Sequence, residues 1–212
     1  TTHIMTDECR KMIARVAKEQ DILIIEDAAH SMLMKEPKHA VASYLPEQTI
    51  YIASLSKTVA PGLRLSYIVS PERYKAAVAE ALYALNVTVS PLLLELGSRI
   101  IASGKMPNFS DQYRNMIRER NALIDEMLFG YAVYGAPESL FRWMLLPEPW
   151  TGEEFESEAY RAGVQVYGCR KFSVGKAKPA AAARIESAGP KDMEELKKAL
   201  EILKKVLQKY EK

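Results

Sequence analysis

Cysteine is scarce in this chain of 212 residues: there are two, Cys9 and Cys169. They form neither a CxxC pair nor a wider framework, which argues against a disulfide-stapled scaffold and against a structural zinc centre. No apolar run approaches the roughly 18 residues that a membrane span needs, and the first residues lack the pattern of a signal peptide. Net charge is nearly absent as well. Lys and Arg number 29 against 27 Asp and Glu, a formal charge of +2, so no global field points to nucleic acid or to cations as partners. Internal repeats and low-complexity stretches are also missing. What is present is the balance of an ordinary soluble globular protein, 48% hydrophobic and 26% charged, long enough for one large domain or for a domain with a small companion. Nine methionines and unpaired cysteines suit a reducing cytoplasm. The opening Thr1-Thr2-His3-Ile4-Met5 is an unusual start and reads as the beginning of a fragment.

Hydrophobic spacing predicts alternating strands and helices. Thr6-Asp7-Glu8 is rich in capping residues, and Met12, Ile13, Val16 and Ala17 recur at helical spacing, so residues 7–19 are expected to be an amphipathic helix. Three short apolar runs, residues 22–25, 49–53 and 65–69, suit buried strands of a mostly parallel sheet. Helices are expected at 72–85, 91–103 and 111–129. The texture changes at Gly130. Residues 131–134, 140–146, 164–167 and 182–186 are strand-like, 152–162 helical, and 190–210 an amphipathic helix whose stripe is Met193, Leu196, Leu200, Leu203 and Leu207. Its Lys-rich opposite face is expected to be solvated. The expected class is α/β: residues 1–129 form a domain that ends in a long helix, and 130–212 a smaller α+β domain.

Three places carry side chains suited to chemistry. In Ser54-Leu55-Ser56-Lys57-Thr58-Val59-Ala60-Pro61-Gly62-Leu63-Arg64-Leu65 a strand ends in hydroxyls, a lysine, a Pro-Gly turn and an arginine. Ligands of open α/β sheets lie at strand ends. A lysine in a poorly hydrated pocket there favours its neutral amine, which can attack a carbonyl and form a Schiff base. Ser54, Ser56 and Arg64 offer the hydroxyls and the charged planar fork that a phosphate needs. An exposed lysine in a polar loop, with Arg64 in a salt bridge, is an equally open reading. Glu26 and Asp27 follow the apolar run of residues 22–25; a carboxylate there can hold a proton on a heterocyclic nitrogen, or simply cap the next element. His30 on its own is more often structural than catalytic. Arg184, in a short β-like segment, can pair a carboxylate bidentately or serve a structural ion pair.

An acid at one strand end, a lysine after the next strand with an arginine seven residues on, and a late arginine before a terminal helix resemble the fold-type I pyridoxal-phosphate enzymes. Within them the lysine loop is similar to that of class I/II aminotransferases. Phe141-Arg142-Trp143-Met144-Leu145-Leu146-Pro147-Glu148-Pro149-Trp150, Gly163-Val164-Gln165-Val166 and Phe172-Ser173-Val174-Gly175 are similar to the MocR subgroup of GntR-type regulators, in which a winged helix-turn-helix is fused to an aminotransferase-like domain. The resemblance covers nearly the whole chain. It implies pyridoxal 5'-phosphate as cofactor, with Lys57 as the Schiff-base lysine, Asp27 facing the pyridine nitrogen, Ser54, Ser56 and Arg64 holding the phosphate, and Arg184 holding the α-carboxylate of an amino acid or amine. It also implies a homodimer when the protein is intact.

The chain departs from the family's pattern in three ways. His30 stands where the family usually places a tyrosine that bonds the cofactor's phenolic oxygen; it can donate the same bond but titrates near neutrality. Ala28 follows the aspartate where many relatives have a polar residue or an acid. The family's glycine-rich phosphate loop, ring-stacking aromatic and asparagine lie in a preceding half, and Thr1-Thr2-His3 is similar to the stretch just after that asparagine. Three functions are therefore expected as alternatives. The first is an effector-sensing domain of a regulator, with its DNA-binding domain elsewhere; the second is part of a working aminotransferase; the third is a folded remnant without cofactor.

Overall fold

The computed structural model describes residues 5–36 and 38–210. The resemblance read at Thr1-Thr2-His3 lies outside the described residues. The chain divides into two compact units, residues 4–114 and 115–212, and the division falls within one long helix.

In the first unit α1 (Asp7–Glu19) starts where Thr6 accepts a hydrogen bond from the Cys9 N–H, a side-chain N-cap reinforced by Asp7 and Glu8 in the first turn. Of the expected stripe only Ala17 is buried and Ile13 partly so, whereas Met12 and Val16 remain about half exposed; Ala14, outside the stripe, is buried with Ala17 against Val41 and Leu45. Strand β1 (Ile24–Asp27) begins later than the apolar run suggests, because the Ile22 N–H is spent closing α1 on the Ala17 carbonyl and Asp21 turns with φ of 50°. The two acids thus lie inside the strand. After α2 (Val41–Tyr44), β2 (Thr49–Ser54) pairs parallel with β1, Asp27 opposite Ile52.

β3 (Ser66–Val69) corrects the expectation of parallel strands: it runs antiparallel to β2, Ser54 opposite Ser66. The connection over residues 55–65 holds only a single short helical turn, at Pro61–Leu63, and is too short for a crossover, which takes a dozen or more residues and usually a helix. Nor are the strands covered on both faces in this unit. Ile25 is 66% and Val69 65% exposed. Helices α3 (Glu72–Asn86) and α4 (Pro91–Ala102) follow, and α3 has no buried residue. α4 approaches the hairpin at Gly97, where a Cβ would lie 2.3 Å from Leu65 Cδ2. Leu55, Leu63, Leu65 and Met106 form the small core beneath the 55–65 loop.

Helix α5 (Met106–Met127) begins five residues before the expected Asp111 and leads into the second unit. That unit is a four-stranded antiparallel sheet in the order β4 (Val133–Tyr134), β5 (Phe141–Leu145), β7 (Ala182–Glu186), β6 (Tyr167–Gly168). α6 (Gly152–Arg161), capped by Thr151, and α7 (Met193–Leu207), capped by Asp192, complete it. Leu196, Leu200, Leu203 and Leu207 of α7 are buried with Phe155, Met144, Ala183 and Ile185. Met193, expected on that stripe, is 40% exposed. Glu156 ties α6 to β6 by accepting from the Gly168 N–H at 2.9 Å and from the Lys171 ammonium. No described helix is long and apolar enough to cross a membrane.

Candidate functional site

The parallel pair β1–β2 ends in the residues singled out by sequence. Asp27 is the last residue of β1, exposed, and its Oδ1 accepts the Ala29 N–H at 3.0 Å. Its neighbour Glu26 points to other work: Oε1 pairs with Arg10 at 2.7 Å and Oε2 accepts the Ala42 N–H, tying α1, β1 and α2 together. Alternation along a strand separates the two acids in this way. The chain leaves β1 with the Ala28 N–H on the Ile52 carbonyl, so His30 emerges beside the end of β2 and precedes a helical turn, Ser31–Leu33. Ser31 Oγ donates to the Ala28 carbonyl at 2.8 Å and lies 3.4 Å from the Tyr51 hydroxyl. Arg114 donates to the Leu33 and Met34 carbonyls and bonds Asp111, which fixes the far side of this turn.

The lysine loop leaves β2 at Ser54. Ser54 Oγ donates to the Leu65 carbonyl at 3.3 Å and accepts the Ser56 N–H at 3.2 Å, and Thr58 Oγ1 donates back to the Ser54 carbonyl. The Thr58, Val59 and Ala60 N–H groups all converge on the Leu55 carbonyl. Ser54 is thereby committed to building the loop, while the hydroxyl of buried Ser56 and the guanidinium of exposed Arg64 have no side-chain hydrogen bond or ion pair among the described residues. Arg64 holds a left-handed conformation, φ 46° and ψ 32°, pinned between the buried Leu63 and Leu65. A non-glycine residue there costs about 1–2 kcal/mol, and the anchoring leucines offset it. Lys57 is half-buried.

His30, Lys57 and Asp27 are electrostatically coupled. The His30 ring reaches solvent, yet enough protein surrounds it that burial is the main cause holding its pKa below the ordinary 6.5. Nearby positive charge, Lys57 included, lowers it further, and the Asp27 carboxylate opposes the shift. His30 is thus biased toward neutral imidazole at neutral pH.

The second unit presents the third expected residue by itself. Arg184, in the middle of β7, lies opposite Trp143 of β5 and Tyr167 of β6. Its guanidinium sits over the rings of Phe141 and Phe172 at 4.2 and 4.3 Å, with Tyr167 at 5.6 Å. Trp143 meets Phe172 edge-on. Arg184 has no carboxylate partner among the described residues, and its Nε is buried without a hydrogen bond. Rings over the guanidinium leave its edge for an in-plane, bidentate anion. The sequence marked Arg184 but did not join Phe141, Phe172 or Tyr167 to it: strand pairing brings Phe141 and Tyr167 there, and the turn Cys169–Phe172 brings Phe172. The Ser31–Tyr51 contact and the Arg114 brace carried no sequence signal either.

The donor set fits pyridoxal phosphate: hydroxyl and guanidinium for a phosphate, an amine for an aldehyde, and an acid at the strand end for a pyridine nitrogen. Comparison with known proteins gives the family. The family model "Aminotransferase class I and II" matches residues 2–203. The chain is 44% identical over 207 residues to YdeF, an uncharacterized HTH-type transcriptional regulator of Bacillus subtilis, covering 98% of this chain and 45% of that protein. Among solved structures it resembles an archaeal alanine:glyoxylate aminotransferase, with a TM-score of 0.84 and 20% identity over 97% of this chain and 53% of that one. It also resembles LysN, the α-aminoadipate aminotransferase of Thermus thermophilus, with a TM-score of 0.78 and 20% identity over 95% of this chain and 54% of that one. The chain spans about half the length of these proteins. It belongs to the class I and II aminotransferase family.

Proposed function

We propose that the chain is the pyridoxal-phosphate-binding, effector-sensing part of a cytoplasmic GntR/MocR-type transcription regulator, with Lys57 as the residue that bonds the cofactor. The observation that carries the reading is the loop after β2. It is built by Ser54 and anchored by leucines, and it leaves Lys57, Ser56 and Arg64 available at the end of a parallel strand pair that also holds Asp27 and His30. The extended likeness to an HTH-type regulator supports the regulatory half of the reading. The solved LysN carries N-(5'-phosphopyridoxyl)-L-leucine, which supports the cofactor.

When bound, the cofactor supplies an electron sink for the α-carbon of an amino compound. Asp27 would keep a proton on the ring nitrogen by its negative charge, and His30 would donate to the phenolic oxygen. Ser56 and Arg64 would hold the phosphate, and Ser54 would shape their loop; a direct bond from the Ser54 hydroxyl would require it to leave the Leu65 carbonyl. Arg184 would take the carboxylate of an amino acid, its rings excluding water from the guanidinium faces. DNA would be bound by a domain outside this chain, and the intact protein would be a homodimer. A second reading, a piece of a working aminotransferase acting on an amino acid and a 2-oxo acid, draws on the same Lys57, Asp27 and Arg184.

Adding pyridoxal phosphate should produce a yellow absorbance band that borohydride fixes on Lys57, located by peptide mass spectrometry. A Lys57→Ala variant that keeps the band would overturn the assignment. Amino-acid turnover with a 2-oxo acid acceptor, lost in Lys57→Ala, would favour the enzyme; a spectral change without product would favour the sensor.

A further inference from the structure

We propose that Phe141 and Phe172 are positioning residues that fix the plane of the Arg184 guanidinium, and so make it select a planar carboxylate over a tetrahedral oxyanion of equal charge. The inference rests on the reading of Arg184 as a carboxylate site and names the residues that give that site its selectivity. All of them belong to the second unit. The Arg184 guanidinium carbon lies 4.2 Å from the ring centre of Phe141 and 4.3 Å from that of Phe172. Glu186 is the carboxylate on the same face, two residues along β7, yet it makes no ion pair with Arg184 among the described residues; its Oε2 lies 4.0 Å from where a Cβ on Gly189 would stand.

Packing of the core does not account for these rings. The buried cluster of the unit takes Met144, Ala183 and Ile185 from one face of the sheet. Phe141, Trp143, Arg184 and Tyr167 share the other face, as the register of β5, β7 and β6 requires. Phe172 is exposed, yet the turn that carries it is braced on both sides. Ahead of it, Glu156 accepts from the Gly168 N–H at 2.9 Å and from the Lys171 ammonium. Behind it, Ser173 Oγ donates to the Cys169 carbonyl at 3.0 Å, and the Ser173 N–H to the Arg170 carbonyl. Trp143 meets the Phe172 ring edge-on at 5.7 Å. An exposed ring held this firmly is placed for its contact with the cation.

Selectivity then follows from shape. A guanidinium donates in its own plane, and two parallel N–H bonds need two acceptor oxygens in that plane. A carboxylate offers both and nothing above or below them. A sulfonate of the same charge carries a third oxygen out of the plane, toward the ring faces, whose negative π clouds repel it. A free arginine side chain would tilt to suit either anion. Stacked on two rings whose backbones are fixed by strand pairing and by the braced turn, Arg184 does not follow.

The test follows the Nε–H resonance of Arg184 by NMR in the whole chain without cofactor, assigned by its loss in Arg184→Lys. Sodium acetate or sodium methanesulfonate replaces sodium chloride at constant ionic strength. Acetate should shift the resonance at about tenfold lower concentration than methanesulfonate, the difference that one charge-assisted bond makes. Phe172→Leu and Phe141→Leu, their folding checked by circular dichroism, should bring that ratio close to one, and Phe172→Tyr should keep it. A loss of stability alone does not change the ratio between two anions, so the ratio separates positioning from a structural role. The parent ratio in a folded leucine variant, or no preference for acetate in the parent chain, overturns this inference and leaves the carboxylate reading of Arg184 standing. No response to either anion overturns both, and leaves the reading of Lys57 untouched.

Discussion

At the scale of single residues, Arg184 is a guanidinium enclosed by aromatic rings. Its guanidinium lies over two phenylalanine rings, its Nε is buried without a partner, and no described carboxylate neutralises it. A buried donor without a partner costs roughly 1–3 kcal/mol, a cost that the carboxylate proposed to bind there would remove. Arg184→Lys keeps the charge but loses both the fork and the planar stacking. The expected result is a 10- to 100-fold weaker apparent affinity for an amino acid, read from the spectral titration of the cofactor-loaded chain, because charge-assisted bonds contribute about 1.5–3 kcal/mol. Unchanged affinity would assign Arg184 a purely structural role. The candidate residues were legible where they are neighbours in sequence: Ser54, Ser56, Lys57 and Arg64 share one loop, and Asp27 and His30 share one strand end. The aromatic surroundings of Arg184 were not legible. Phe141 lies on β5, and Tyr167 and Phe172 on β6 and the turn that follows it; the pairing of Trp143, Arg184 and Tyr167 across three strands, together with that turn, brings them to Arg184.

Elements show where periodicity is informative and where it is silent. The α7 stripe was legible because one face meets one core, and Leu196, Leu200, Leu203 and Leu207 are buried as spaced. Strand direction was not, since an apolar run reads alike in parallel and antiparallel pairs; loop length decides it, and β3 turned back on β2. Residues 164–167 were expected as a strand, yet only Tyr167 and Gly168 pair with β7. The reason lies at the glycines. A Cβ on Gly168 would stand 2.5 Å from the Gly152 carbonyl oxygen and 2.7 Å from its carbon, so β6 is held by backbone contact with the start of α6. Gly168→Ala must therefore push a pair of backbone segments apart rather than shift a side chain. Overpacking of this kind costs about 1–3 kcal/mol, and a denaturant midpoint shifted down accordingly, with an unchanged slope, is the expected outcome. Because Tyr167 precedes Gly168 and the turn Cys169–Phe172 follows it, the same variant should also weaken the carboxylate affinity ascribed to Arg184.

For the whole molecule, the two units differ in how much apolar surface each buries within itself. The second unit has a continuous core that runs from Ile124 and Met144 through Phe155 to Leu207. The first has two small clusters, one around Ala14, Ala17, Val41 and Leu45 and one around Leu55, Leu63, Leu65 and Met106, and its helix α3 buries no residue. Leu85, Val87 and Leu92 are 80%, 66% and 76% exposed. At roughly 25 cal/mol for each Å² of apolar surface removed from water, that difference decides which unit yields first. Unfolding of this chain by urea should therefore proceed in two steps, with residues 4–114 opening before 115–212. Both tryptophans, Trp143 and Trp150, belong to the second unit, whereas helices of both contribute to far-UV circular dichroism. The dichroism should begin to fall at lower urea than tryptophan fluorescence, and amide exchange should be fastest in β1, β3 and α3 and slowest in β5, β7 and α7. On the proposed reading, in which pyridoxal phosphate bonds Lys57, the cofactor should move the first step to higher urea by mass action and leave the second in place. Coincident transitions by both probes, with or without cofactor, would mean that the two units fold as one and that the lysine loop draws its stability from outside its own small core.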